Sequence, residues 1–192
     1  ILIIIILLNG LFLNGCAQLV IGGAASSGLI LVQERSAEDA ARDIIIKTQI
    51  EESLFSNNYD ELFSKIKVIV IEGRVLLVGT LKNNEERDKA AEIAWKTKNV
   101  KEVANYTSLG KSKFIDYVKD SRISLEFRAS ILADSFISEV NYISTTEKGV
   151  MYIMGIAQDN EELEKVLNHA NNTPGVKKVI NLIIKKDDPK RK

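Results

Sequence analysis

The chain has 192 residues, and its 26 basic and 26 acidic side chains cancel to a formal net charge of +0. This balance gives no global field for nucleic acid, and the length suffices for one medium domain or two small ones. One cysteine, Cys16, and one histidine, His169, exclude an intramolecular disulfide and most metal-dependent chemistries. No charged residue precedes Glu34, so an apolar head is followed by a body of ordinary composition.

The head begins with an aliphatic run over residues 1–8 and a second short run at residues 11–13. Such runs are typical of a secretory signal peptide, expected here to be N-terminally incomplete because no basic segment precedes it. Residues 13–16, Leu-Asn-Gly-Cys, resemble a lipobox, the bacterial site at which the cysteine is diacylated and becomes the mature N-terminus. This resemblance predicts a signal peptide over residues 1–15 and lipidation of Cys16. An uncleaved transmembrane helix is the alternative, although polar residues and glycines would interrupt it.

Residues 16–38 are predicted to form the lipidated cysteine and an apolar tether. Ala17 follows the cysteine, and the absence of an aspartate there implies sorting to the outer membrane. Because a solvated tether would be polar, residues 17–32 either lie along the membrane or form a flexible linker that happens to be apolar.

The body contains an internal repeat. Gly73 and Gly149, and likewise Val100 and Val176, are separated by 76 positions. Further upstream the separation becomes 77 positions, as between Ile46 and its counterpart in the second copy. A constant offset over so many positions indicates two copies of one structural unit.

Both copies show the same order of hydrophobic patterns. In the first copy, Ile46, Ile50 and Leu54 recur at helical spacing, Ser36 and Asp39 resemble a capping box, and β-branched runs indicate strands. The first copy is predicted to contain a helix at 43–55, strands at 66–72 and 75–78, a helix at 83–96 and a strand at 100–109. The second is predicted to contain a helix at 121–133, strands at 140–147 and 150–154, a helix at 159–172 and a strand at 176–184.

These patterns predict an α+β protein with two tandem αββαβ domains, each a three-stranded mixed sheet with two helices on one face. The predicted segments of the body are domain one at 39–109, an interdomain segment at 110–119, domain two at 120–186 and a charged, solvated tail at 187–192. Because a unit of this size buries little core, docking of the two copies would stabilise both.

The two hairpins carry a more specific resemblance. They read Gly-Arg-Val-Leu-Leu-Val-Gly at residues 73–79 and Gly-Val-Met-Tyr-Ile-Met-Gly at residues 149–155. With the closing strands, Val-Lys-Glu-Val and Val-Lys-Lys-Val, they resemble the BON domain, and a lipobox before two such domains is similar to the dual BON-domain outer-membrane lipoproteins. The hairpin glycines are predicted to be structural turn residues, namely Gly73, Gly79, Gly149 and Gly155.

The resemblance implies a non-enzymatic, lipid-anchored protein on the periplasmic face of the outer membrane, where it binds phospholipid and supports membrane integrity. The alternative is a periplasmic scaffold that docks on outer-membrane protein assembly machinery. We assign no catalytic residue, cofactor, metal site or nucleic-acid partner, since no motif supplies one. His169 is interpreted as a partly exposed helix residue, because no spacing provides it with an orienting partner.

The candidate lipid-binding residues lie where the interdomain segment meets the second copy, with aromatic residues among cations as at an interface with anionic headgroups. They are Phe114, Tyr117, Lys119, Arg122 and Ile123. In the alternative interpretation, the aromatics join the two domains and Arg122 pairs with Glu126. Trp95 is expected at the core edge or domain interface, with a lipid contact as its alternative.

Overall fold

The computed structural model of the chain describes residues 33–191, and the predicted signal peptide and Cys16 lie outside them. Five regular elements form the first copy, with a π-helical turn at Tyr59–Phe63 inside it: α1 (Ala37–Asn57), β1 (Ile66–Ile71), β2 (Arg74–Leu81), α2 (Asn84–Lys96) and β3 (Glu102–Leu109). The second copy repeats them as α3 (Phe114–Leu132), β4 (Tyr142–Glu147), β5 (Val150–Ala157), α4 (Asn160–Asn172) and β6 (Lys178–Lys185).

Two three-stranded sheets, ordered β1-β2-β3 and β4-β5-β6, confirm the predicted fold class. In each sheet the first two strands are antiparallel and the last is parallel to the central strand. The helix starts are capped as the sequence indicates: the side chain of Ser36 accepts a hydrogen bond from the backbone N–H of Asp39, and Asn83 and Asp159 cap α2 and α4 in the same way.

The helices of each copy cover one face of their own sheet. In the first copy Ile46 and Ile50 of α1 and Ala90 of α2 pack on Val75 and Leu77 of β2. In the second copy the core is equivalent, and it contains Phe127, Ile131, Met151, Ile153, Val166 and Ala170. These are the two layers that the repeat predicted.

The opposite faces of the two sheets pack against each other. This third apolar cluster contains Ile69, Ile71, Leu76 and Val78 from the first copy and Tyr152, Met154, Ile156 and Ile184 from the second. Alternate residues of the central strands therefore face a helix layer and the other sheet, so both strands are buried on both sides. The result is four layers, with helices outside and the two sheets between them.

Each hairpin turns on two residues with positive φ, Glu72 and Gly73 in the first copy and Lys148 and Gly149 in the second. The glycines take φ of +76° and +81°, which glycine adopts at little cost. The second turn lies at residues 148–149, as the predicted strands implied. The first was predicted at residues 73–74 and lies one residue earlier, because Arg74 already pairs with Ile71 in the sheet.

Gly79 and Gly155 are strand residues, not turn residues as predicted, because β2 and β5 continue past them to Leu81 and Ala157. A Cβ at Gly79 would lie 2.0 Å from the carbonyl oxygen of Lys65, and one at Gly155 would lie 2.6 Å from that of Asn141. Glycine is required there because a neighbouring backbone approaches closely.

Two segments differ from their predicted state. Residues 114–119 are not an interdomain linker but the first turns of α3, which begins seven residues before the predicted helix. The end of the chain was expected to be solvated, but it forms a 3₁₀ turn at Pro189–Arg191 and Arg191 binds the carboxylate of Glu72 at 2.7 Å. The attraction between the guanidinium of Arg191 and the carboxylate of Glu72 holds the tail against the first copy.

Candidate functional site

A buried aspartate in the first helix of each copy binds the hairpin turn. The carboxylate of Asp43 accepts hydrogen bonds from the backbone N–H groups of Glu72 and Gly73, at 2.8 and 2.9 Å. Asp120 does the same for the second turn, at 2.6 and 2.8 Å. The two aspartates obey the repeat offset, which is the signal that could have identified them from the sequence.

In the first copy, arginines from outside the domain cover the surface around this aspartate. Arg35 lies just before α1, and its guanidinium contacts the carboxylate of Asp43 at 3.0 Å. The guanidinium of Arg191 donates three hydrogen bonds to the carboxylate of Glu72 and one to the backbone carbonyl of Glu34. Hydrogen bonding to Glu72 raises the pKa of Arg191. The acidic groups of this surface are therefore neutralised within the protein.

In the second copy, the same place is an open groove of about 650 Å³. Its cationic lining residues are Lys119, Arg122, Lys148 and Lys177, and its acidic ones are Asp116, Asp120 and Glu126. Over residues 33–191, Asp120 has no cationic partner comparable to Arg35, and the ammonium groups of Lys119 and Lys148 form no ion pair. The four cations of the lining outnumber its three carboxylates by one, so the groove has a small excess of positive charge beside an opening to solvent. We call it the second-copy groove.

The outer face of α3 carries an apolar stripe along its whole length. Its members, Phe114, Val118, Leu125 and Leu132, fall within about 40° of one another around the helix axis. They are exposed, with Phe114 at 81% and Leu125 at 67%. The opposite face is the buried one and carries Ile123, Phe127 and Ile131. An exposed apolar stripe of this kind marks a candidate contact surface for a membrane or another protein.

The sequence profile of the BON domain matches residues 42–111 and 119–186, which together span more than half of the chain. The chain belongs to the BON domain family. Its two copies are therefore the first and second BON domain.

Three relatives are similar to this chain over most of its length. A protein of Anaplasma centrale named "Uncharacterized protein in gshII 5'region" is 39% identical over 143 residues, which are 73% of this chain and 93% of the relative. The outer membrane lipoprotein DolP of Haemophilus influenzae is 25% identical over 171 residues, 88% of each protein. The 21 kDa hemolysin of Actinobacillus pleuropneumoniae is 24% identical over 153 residues, 79% of this chain and 78% of that protein.

Among solved structures, CdsD, a structural protein of the Type III secretion system of Chlamydia trachomatis, aligns with 74% of this chain and 63% of its own length. Its 15% identity and TM-score of 0.30 are too low to inform the fold or function of the present chain.

The predicted lipid-binding residues occupy four different environments in the second copy. Phe114 belongs to the exposed stripe, and Lys119 and Arg122 line the second-copy groove. Tyr117 is half-exposed beside Lys67 of the first BON domain, whose Nζ lies 5.8 Å from its ring centre. Ile123 is only 7% exposed because it faces the core, and it reaches the groove only as part of its lining.

The alternative interpretation of this segment is correct in one detail. Arg122 donates a 2.7 Å hydrogen bond to Glu126, and this contact raises the pKa of Arg122. The pair is exposed, and such pairs contribute little to stability. Phe114 does not join the two domains, because its ring is almost fully exposed.

Trp95 was expected at the core edge or domain interface, but it is 55% exposed on α2. The domain interface is made of sheet faces, and α2 lies in the outer layer of the first BON domain. Trp95 is therefore on the side of the molecule opposite α3.

His169 has a partner that the sequence did not reveal. Its Nε2 lies 3.1 Å from Asp134, and hydrogen bonding to His169 lowers the pKa of that carboxyl. The described residues contain no cluster of three acidic, histidine or cysteine side chains arranged to hold a metal ion. Likewise, no helix within residues 33–191 combines the length and apolar character needed to cross a membrane.

Proposed function

We propose that this protein is associated with the outer membrane and binds its anionic phospholipid through α3 and the second-copy groove. The observation that carries the proposal is the apolar stripe of α3, which lies opposite the buried face of the helix and beside an open basic groove. An interfacial helix needs this combination, with apolar side chains to insert among acyl chains and cations at headgroup level.

The geometry supports an orientation with α3 parallel to the membrane plane. Phe114 and Leu132 lie at the two ends of the helix, so insertion of the stripe would place its full length in the interface. Arg122 borders the stripe, and Lys119 lies further around the helix toward the groove. Each basic side chain near an anionic surface contributes about 1 kcal/mol and the effect fades within a Debye length, so binding would be weak and salt-dependent.

Divergence between the two BON domains supports assigning this role to the second. In the first domain, Arg35 and Arg191 cover the equivalent surface, and the outer face of α1 carries the exposed Glu52 among its apolar residues. Acidic groups there would be repelled by anionic lipid.

Lipidation of Cys16 is part of the proposal, supported by the lipobox resemblance and by similarity to the lipoprotein DolP. An anchor would hold the body near the membrane and raise its effective concentration there, which makes weak contacts sufficient. The intact mass of protein purified from membranes tests this step, because diacylation with loss of residues 1–15 changes it by a calculable amount. An unmodified chain retaining those residues contradicts it.

Sedimentation with vesicles tests the role of α3. The body from residue 33, which is a compact unit, is mixed with phosphatidylglycerol vesicles or with phosphatidylcholine vesicles. The expected result is binding to the anionic vesicles that falls with salt, falls with Lys119→Glu plus Arg122→Glu, and falls with Leu125→Asp. The matched control is Lys89→Glu plus Lys96→Glu, on exposed positions of α2. Equal binding by all variants would contradict the proposal.

The scaffold alternative uses the same stripe, since an exposed apolar helix face can also dock on a protein. It differs in its dependence on lipid charge. If the body from residue 33 binds native outer-membrane vesicles but not vesicles made of their extracted lipids, and Leu125→Asp abolishes that binding, protein docking replaces lipid binding.

A further inference from the structure

A second cavity lies at the junction of the two BON domains. Its volume is about 470 Å³, and its walls come from the first strand hairpin, the connection after β3, the start of α3 and the end of β4. We call it the junction pocket, and the residues that matter for its chemistry are Lys65, Lys67, Lys82, Lys111, Tyr117 and Glu147. It is distinct from the second-copy groove, because the first turn of α3 separates them.

The pocket is strongly basic. Four lysines line it, and the Nζ of Lys148 approaches from the groove side to 3.9 Å from the Cβ position of Gly110. Glu147 is the acidic lining residue, and it already accepts a 2.7 Å hydrogen bond from Thr80 and lies 3.9 Å from Lys67. The pocket therefore has an excess of positive charge.

Two of these lysines have no local compensation. The side chains of Lys82 and Lys111 are exposed, and neither forms a hydrogen bond or ion pair with any residue in the 33–191 region. Lys67 is held in place, because its Nζ donates a 3.0 Å hydrogen bond to the carbonyl of Thr146. Lys82 and Lys111 therefore keep two unpaired positive charges at the wall of the pocket, and a bound anion would neutralise them.

We propose that the junction pocket binds a phosphate group. Phosphate is compact, multiply charged and rich in acceptor oxygens, so several ammonium groups can contact it at once. The hydroxyl of Ser112 adds a neutral donor at the rim, and the ring of Tyr117 forms one wall. This inference does not rest on membrane binding through α3, since a free phosphate and a lipid headgroup present the same chemistry to the pocket.

The site has a structural consequence because both domains build it. Lys82 comes from the first BON domain, Tyr117 and Glu147 come from the second, and Lys111 comes from the connection between them. Separation of the domains would destroy the pocket. Bound phosphate therefore stabilises the docked pair by mass action.

Amide chemical shifts measured during a phosphate titration test the proposal. The full chain in nonionic detergent is titrated first with inorganic phosphate and then with dihexanoylphosphatidylglycerol. The test variant is Lys82→Gln plus Lys111→Gln, and the matched control is Lys89→Gln plus Lys96→Gln on α2. All four lysines are exposed, so these changes should leave the fold intact.

Saturable shifts at Lys82, Gly110 and Lys111 are expected, with an affinity about tenfold weaker in the test variant and unchanged in the control. If inorganic phosphate produces them, the ligand can be a free phosphate. If only the lipid produces them, with the same loss in the test variant, the proposal stands with a headgroup as the source. The proposal is overturned if neither probe shifts these amides, or if the test variant binds like the wild type.

Discussion

Lys148 in the second BON domain occupies the position of Glu72 in the first, as the first residue of the two-residue hairpin turn. In the first domain the carboxylate of Glu72 binds Arg191. In the second domain Lys148 lines an open groove, and its ammonium reaches 3.9 Å from the Cβ position of Gly110 instead of binding a carboxylate. The charge at this one structural position is therefore reversed between the domains. In the first domain the protein covers the surface with its own chain, and in the second the surface remains open to an anion.

The turn-binding aspartates should each contribute substantially to stability. Replacing Asp43 or Asp120 by alanine leaves two buried backbone N–H groups without acceptors, so the free energy of unfolding should fall by about 2–3 kcal/mol. Asp43→Ala should cost more, because it also abandons the guanidinium of Arg35. Urea unfolding measures the difference. Asp88→Ala, at an exposed position, is the control, and an equally small effect at all three positions would refute the role of the turn contacts.

Gly79 and Gly155 should not tolerate a Cβ. Because each faces a backbone carbonyl closer than any Cβ contact allows, alanine must displace a strand, at a cost of about 1–3 kcal/mol. The larger loss is expected at Gly79, where the approach is closer. Thermal unfolding compared with Ser112→Ala, an exposed substitution, provides the measurement. Unchanged melting temperatures would show that the close approach does not exist in solution.

The interface between the sheets should make the two domains unfold together when it is damaged. Val78→Asp and Met154→Asp each place an unpaired charge in the shared apolar cluster, which is costly. Hydrogen exchange should then accelerate in both domains. Val75→Asp and Met151→Asp lie on the helix-facing sides instead, so each should first expose its own domain. Exchange confined to the mutated domain in the first pair would contradict the shared interface.

Arg191, near the end of the chain, should fix the segment around Glu34 that precedes α1. Arg191→Ala removes the contacts with Glu72 and with the carbonyl of Glu34, so the free energy of unfolding should fall by about 1–2 kcal/mol. Amide exchange near Glu34 and Gly73 should become faster. Lys190→Ala is the matched control. Identical exchange in the two variants would mean that Arg191 does not bind Glu72 and Glu34 in solution.

The repeat and its helical periodicity were sufficient to predict the two domains. The spacing of Ile46, Ile50 and Leu54 places them in the first core as expected. The sequence also contains a signal for the docking of the sheets, because residues 75–78 form an unbroken apolar run typical of a strand buried on both faces. An alternating pattern would have left one face to solvent.

Other features depend on long-range contacts that local patterns do not contain. The tail residue Arg191 is held by Glu72 and by the carbonyl of Glu34, which lie beside it only in the folded chain. Residues 114–119 are helical because α3 continues outward from its core-facing part, and their apolar stripe does not face the domain interface. The repeat alignment pairs Asp43 with Asp120, but their shared role required the position of the turns.

The central claim, that α3 faces the membrane, is tested most directly by the depth of a single tryptophan. The native body from residue 33 carries one tryptophan, Trp95, on the helix layer away from α3. A second protein carries Trp95→Phe with Phe114→Trp, which moves the probe to the start of the stripe. On phosphatidylglycerol vesicles containing brominated acyl chains, the tryptophan at 114 should shift to shorter emission wavelength and be quenched, while Trp95 should do neither. Quenching of Trp95 with an unaffected probe at 114 would contradict the account.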